Sequence, residues 1–165
     1  MTLRIPLPEA QRRALDLMHG GRHRGPSVLQ VMWETYGLED EDLLWPSAAL
    51  FGGIAGQQQA TCGAASSSAV CLGIRLRQPF NDEAAVKRAR IDIEREAAEF
   101  VREFTNRFGT LVCRDLVGLD LSDPDVRRRF LSQNLGKDTC DRFVSFAIEK
   151  LYALEKKREL PKSTP

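Results

Sequence analysis

Four cysteines, Cys62, Cys71, Cys113 and Cys140, carry the widest chemistry in this chain. A thiolate binds metals and attacks disulfides, and a neutral thiol does neither well. Cys62 falls in the stretch Phe51 to Gly73, FGGIAGQQQATCGAASSSAVCLG, where glycine, small residues and cysteine are concentrated together. The glycines at 52, 53 and 56 can take positive φ and turn the backbone sharply. Thr61 then suits an N-cap, and the run Gly63 to Ala69 has so little bulk that other backbones can pack close to it. That pattern predicts a buried, tightly crossed helix with Cys62 in its first turn. There, unpaired N–H groups and the positive end of the helix dipole stabilise a thiolate. Cys140 follows Asp138 by two residues, in a first turn that Asp138 can cap and Asp141 can support. Cys113 sits near the start of a short helix. Cys62, Cys113 and Cys140 therefore share a helix-start placement, and if they converge they form a site. Cys71 is nine positions after Cys62, which puts it on the opposite helix face and about 13 Å along the axis.

Spacing alone leaves a second reading open. Free cysteine often serves as a small buried hydrophobe, and the chain has no CxxC pair of the kind that signals a metal site. His19 and His23 flank a double glycine in a basic turn and read as solvated. The same holds for Arg127 to Arg129 and for Lys156-Lys157-Arg158, which lack interleaved aromatics. Gly52-Gly53 with Gly56 is not a phosphate cradle, because the Lys and Ser/Thr of a P-loop are missing.

The elements that must position these residues read as helices. Apolar spacing predicts one from Glu9 to His19, stopped by Gly20-Gly21, and a second from Ser27 to Gly37 after the basic turn Arg22 to Pro26. A third, with the acidic start Glu39 to Asp42, is kinked or split by Pro46. After the central helix, Val86, Ile93, Phe104 and Phe108 mark the longest pattern, some 26 residues ended by Gly109. Shorter helices follow around Cys113 to Val117 and from Pro124, and a last one runs from Asp138 to about Leu154. No strand-like alternation of useful length and no repeat are present. The expectation is an all-α, single-domain bundle of about six to eight helices over residues 1–165, with a core at about 8–155 and a solvated tail at 156–165. Ile91 and Phe100 lie away from the main stripe of the long helix, which would let a second copy bury them as a homodimer.

Composition bounds the function classes. The 165 residues are 42% hydrophobic with eight phenylalanines, enough for one core. With 24 basic and 23 acidic side chains the formal charge is +1, so no net field draws the surface to nucleic acid or anionic lipid. No segment approaches the roughly 18 apolar residues of a membrane span, and no signal peptide is evident. The chain is expected to be cytoplasmic, without nucleic-acid or membrane partners. In a reducing compartment its cysteines would be buried core, metal ligands or redox thiols.

Cys62-Gly63-Ala64-Ala65-Ser66-Ser67, read as CGAxxG, resembles the central motif of the redox-active protein family named for its pattern of an upstream Cys, a GCAxxG motif, Cys and Cys (C_GCAxxG_C_C). Glu34-Thr35-Tyr36-Gly37-Leu38, Phe51-Gly52-Gly53, Phe108 to Leu116 and Cys140 to Val144 fit the same order, so the resemblance covers about residues 20 to 155. It implies a helical fold with cysteines that bind iron, an iron–sulfur cluster or another thiolate-bound metal, or that cycle a disulfide with a redox partner. It also implies a dimer, as in the related split-Soret cytochromes. Cys62, Cys113 and Cys140 match three of the four family cysteines and are the expected metal ligands. The upstream cysteine is absent, with Arg24 or Ser27 nearby, and Ser67 replaces the motif's last glycine. A four-thiolate cluster is thereby weakened, whereas three thiolates could use water, His23 or a second subunit for the fourth donor. The sequence thus supports three functions: a metal-based electron-transfer protein, a metal-free thiol–disulfide protein, and a non-catalytic helical module with a degenerate site.

Overall fold

A computed structural model describes residues 3–159. Its elements in order are α1 (Leu7–His19), α2 (Arg24–Tyr36), a 3₁₀ segment (Glu41–Ser47), α3 (Gly63–Leu76), α4 (Glu83–Phe108), α5 (Cys113–Val117), α6 (Pro124–Ser132) and α7 (Gly136–Glu159). The fold is all-α, as the apolar spacing predicts; the one β feature among the described residues is an isolated antiparallel bridge between Thr61 and Val112.

The helix boundaries follow local chemistry. Gly37, Gly109 and Gly118 end α2, α4 and α5 in the left-handed conformation, the usual way for a helix to stop. Asp82 and Asp123 accept backbone N–H bonds at the starts of α4 and α6, which satisfies donors that have no helical partner. Pro46 confines the third expected helix to the 3₁₀ segment. The 26 residues of α4 form one unbroken helix.

The core gathers where α2 and α3 cross and α7 packs on both, with α1 along α7 and α2. The small-residue run explains the crossing. A Cβ at Gly25 or Gly63 would collide with the Leu50 carbonyl oxygen, which is wedged between the two helix starts. Val28, Val31, Met32, Ala64 and Leu72 are fully buried there. On the far side of α7, Phe100, Phe104 and Phe108 of α4 meet Phe143 and Phe146 in a ring cluster, with Phe108 and Phe143 centroids 4.8 Å apart in an edge-on arrangement that aromatic quadrupoles favour.

Four expectations change. The start of α2 is at Arg24, so Arg24, Gly25 and Pro26 form its first turn instead of a linker; proline is tolerated there because the first-turn N–H groups have no helical partner. Phe100 is 2% exposed and faces the ring cluster, whereas Ile91 is 55% exposed, so only Ile91 stands off the core. Ile5 joins the core ahead of the expected boundary at residue 8. At the other end α7 continues to Glu159, and Arg158 pairs with Glu96 and Glu155 instead of lying in a solvated tail. Residues 160–165 lie outside the described residues.

Candidate functional site

Cys62 and Cys113 are brought together by backbone pairing. The Cys62 N–H donates to Leu111 O at 2.7 Å, the Cys113 N–H to Ala60 O at 3.0 Å and the Arg114 N–H to Gln58 O at 3.0 Å. These bonds flank the Thr61–Val112 bridge, so the chains entering α3 and α5 run antiparallel and turn both cysteines toward one cavity. Thr61 is engaged in this pairing and Cys62 itself takes the N-cap position of α3. Gln58, 1% exposed, extends the clamp: its Nε2 donates to Leu119 O at 3.0 Å and its Oε1 accepts from the Leu121 N–H at 2.6 Å. Cys140 comes from α7. That helix begins at Gly136, two residues before Asp138, so Cys140 sits beyond its first turn, without the helix-start N–H groups expected for it. The side chain of Asp138 lies outside the described residues.

Gly52 closes the site from the preceding loop. Residues 52 to 56 have φ of 52°, 65°, 65°, 49° and 79°, a left-handed turn in which Ile54 and Ala55 are strained. The Gln58 N–H to Gly52 O bond at 2.7 Å and the Gly56 N–H to Phe51 O bond at 3.0 Å hold it. Phe51 in turn stacks on His23, centroids 3.9 Å apart.

The result is a small cavity of about 40 Å³ that Cys62, Cys113, Cys140 and Arg24 share. Leu116, Leu121, Phe130 and Phe143 form its apolar wall. The three thiols that the helical reading groups together do face one space, and Cys71, fully buried in α3, is outside it. Of the two residues near the missing upstream cysteine, Arg24 reaches the cavity, while the Ser27 hydroxyl turns back to donate to His23 O at 2.9 Å. His23, a suggested fourth donor, is not in the wall of the cavity. Arg24 has no place among the sequence-derived site residues because it falls in what reads as a linker; the proline two residues on, acceptable in a first helical turn, is the signal that could have found it.

Burial overturns the expectation of helix-stabilised thiolates. It pushes the Cys62 thiol up to about 12, against an opposing pull from the Ala64 and Ala65 N–H groups, because an apolar surrounding penalises the charged form. Burial also raises Cys113, to about 11, and Cys71 further still. Cys140 is raised by burial too, but the charge of the Arg24 guanidinium opposes this.

These residues do not fit a four-thiolate cluster. The fourth polar side chain at the cavity is a guanidinium, which repels cations. A space of about 40 Å³ has room for a few waters at most. Among the described residues no group of three or more His, Cys, Asp or Glu is arranged to hold a metal ion, and no helix is long and apolar enough to cross a membrane. No curated protein and no solved structure matches the chain. A family model does match, over residues 26–154, which is most of the chain and includes all three cavity cysteines: the one described as "Putative redox-active protein (C_GCAxxG_C_C)". With three of the pattern's four cysteines lining one cavity and an arginine beside them, this chain belongs to that family.

Proposed function

We propose that the chain is redox-active through a dithiol–disulfide couple formed among Cys62, Cys113 and Cys140. The observation that carries this reading is that these three thiols share one cavity while Cys71 is excluded from it. Because the thiols are held protonated by their surroundings, the reduced sulfurs carry no charge and suit the apolar wall. Oxidation of two of them to a disulfide removes two protons and two electrons and leaves the sulfurs uncharged again. No metal is needed to balance it.

A thiolate-bound metal is the competing reading, favoured by the presence of three thiols where a disulfide uses two. It requires the sulfurs to shed their protons and draw together around a cation despite Arg24. The test is to equilibrate reduced protein with mixtures of reduced and oxidised glutathione, alkylate the remaining thiols, and map them by peptide mass. The expected result is a disulfide linking two of Cys62, Cys113 and Cys140, with Cys71 alkylated throughout. Four free thiols at every ratio, with stoichiometric metal and a charge-transfer absorption in anaerobically purified protein, would replace it by the metal reading.

A further inference from the structure

Arg24 is built into the cavity. Its side chain runs from the first turn of α2 across the Phe130 ring, 5.9 Å from the centroid. Gly136, at the start of α7, leaves the room it needs, since a Cβ there would lie 2.5 Å from an Arg24 terminal nitrogen and 2.8 Å from Phe130 Cζ. Among the described residues no carboxylate pairs with Arg24, and its Nε is buried with no hydrogen-bond partner. That sets a partly buried cation, with no counter-ion among the described residues, one helical turn from Cys140, where a negative charge forming beside it is favoured. The other charges near Cys140 are engaged elsewhere: Asp141 pairs with His19 at 3.0 Å, and Arg142 lies over the Phe143 ring at 5.1 Å. Once Cys140 carries a negative charge, that charge disfavours a second thiolate at Cys62 or Cys113.

We propose that Arg24 is a positioning residue that makes Cys140 the attacking thiol of the cavity. This deepens the dithiol reading and rests on it. The Cys140 thiolate, held by the guanidinium, attacks one sulfur of a substrate disulfide R–S–S–R′. A bond forms between Cys140 Sγ and that sulfur, and R′S⁻ leaves. The thiolate of Cys113 or Cys62 then attacks Cys140 Sγ, forming the protein disulfide and expelling RS⁻. The two protons lost by the protein thiols end on the two released thiolates, so the substrate gains two electrons and the protein loses two.

The test uses reduced full-length protein and a small iodoacetamide-type reagent at neutral pH, with the rate at each cysteine read by peptide mass, in wild type, Arg24→Gln and Arg24→Lys. Cys140 is expected to label first in wild type. Arg24→Gln should slow Cys140 about tenfold, the equivalent of one pKa unit, slow Cys113 less, and leave Cys62 and Cys71 unchanged, with Arg24→Lys restoring most of the Cys140 rate. Cys62 or Cys113 labelling first in wild type would overturn the proposal, as would equal Cys140 rates in wild type and Arg24→Gln. If Arg24→Gln loses the wild-type helical circular dichroism, the wild-type order and Arg24→Lys decide alone. Failure of the glutathione experiment with this labelling order intact would remove the dithiol reading and the disulfide-forming attack with it, and leave Arg24 only as the residue that sets which thiol ionises.

Discussion

A helix start favours a thiolate only while the sulfur remains near water. Cys62 has the Ala64 and Ala65 N–H groups behind it, yet burial outweighs them and its thiol holds its proton to about 12. The sequence could group Cys62, Cys113 and Cys140 by helix-start placement and by the family pattern, although Cys140 proves to lie beyond the first turn of α7. It could not give their ionisation, which depends on the leucine and phenylalanine wall that residues 116 to 143 place around them. Arg24 was hidden for a related reason: as a letter it belongs to a basic turn, and only the start of α2 directs it inward. Cys71 offers a contrast at the same scale, since it is a small hydrophobe with nothing to react with. Cys71→Ser should lower stability by about 1–3 kcal/mol, because it buries a hydroxyl in an apolar site, and should leave the glutathione mapping of the other three unchanged. A lower urea midpoint with the same disulfide is the expected pair of results.

At the scale of elements, the α2–α3 crossing and the paired chains before α3 and α5 do most of the positioning. The crossing was legible in the glycine, alanine and serine run from Gly63 to Ala69, and the lengths of α4 and α5 were legible in apolar spacing and their stop glycines. The pairing of residues 58–62 with 111–114 was not, because it is two backbone segments meeting at one bridge and leaves no alternation in the sequence. The left-handed turn at 52–56 was only half legible: its glycines announced a turn, but Ile54 and Ala55 adopt the same conformation against their preference. Gly63→Ala tests the crossing. Its methyl group would meet the Leu50 carbonyl, so the helices must part, at a cost of about 1–3 kcal/mol. Since Gly63 also borders the cavity, faster alkylation of Cys62 should accompany the lower thermal midpoint.

For the whole molecule, the raised thiols fix how stability varies with pH. Cys62 and Cys113 titrate near 9.0 when unfolded and at about 12 and about 11 when folded. Below pH 9 both states hold these protons and the thiols contribute no slope. Above it the unfolded chain releases them first, binds fewer protons than the folded chain, and gains population as pH rises. Burial of Tyr36 and Tyr152 acts in the same direction. Urea midpoints should therefore be flat across neutral pH and fall steadily above pH 9; a midpoint constant to about pH 11 would contradict the burial of these groups. Far from the cavity, Arg75, Glu155, Arg158 and Glu96 tie α3, α4 and α7 in a half-buried ion cluster, with Arg75 2.9 Å from Glu155. That cluster joins the same helices that deliver Cys62 and Cys140. The bridge between Thr61 and Val112 also joins residues made at different times. The sulfurs it gathers are made in order as the chain is synthesised, with α4 between the first and second and α6 between the second and third, so no local folding step can unite them. Until α7 docks, Cys62 and Cys71 are each other's nearest thiols in sequence, exposed and unshielded. A Cys62–Cys71 disulfide formed before then would tie together two sulfurs that the finished α3 holds on opposite faces about 13 Å apart, and so would block assembly of the site.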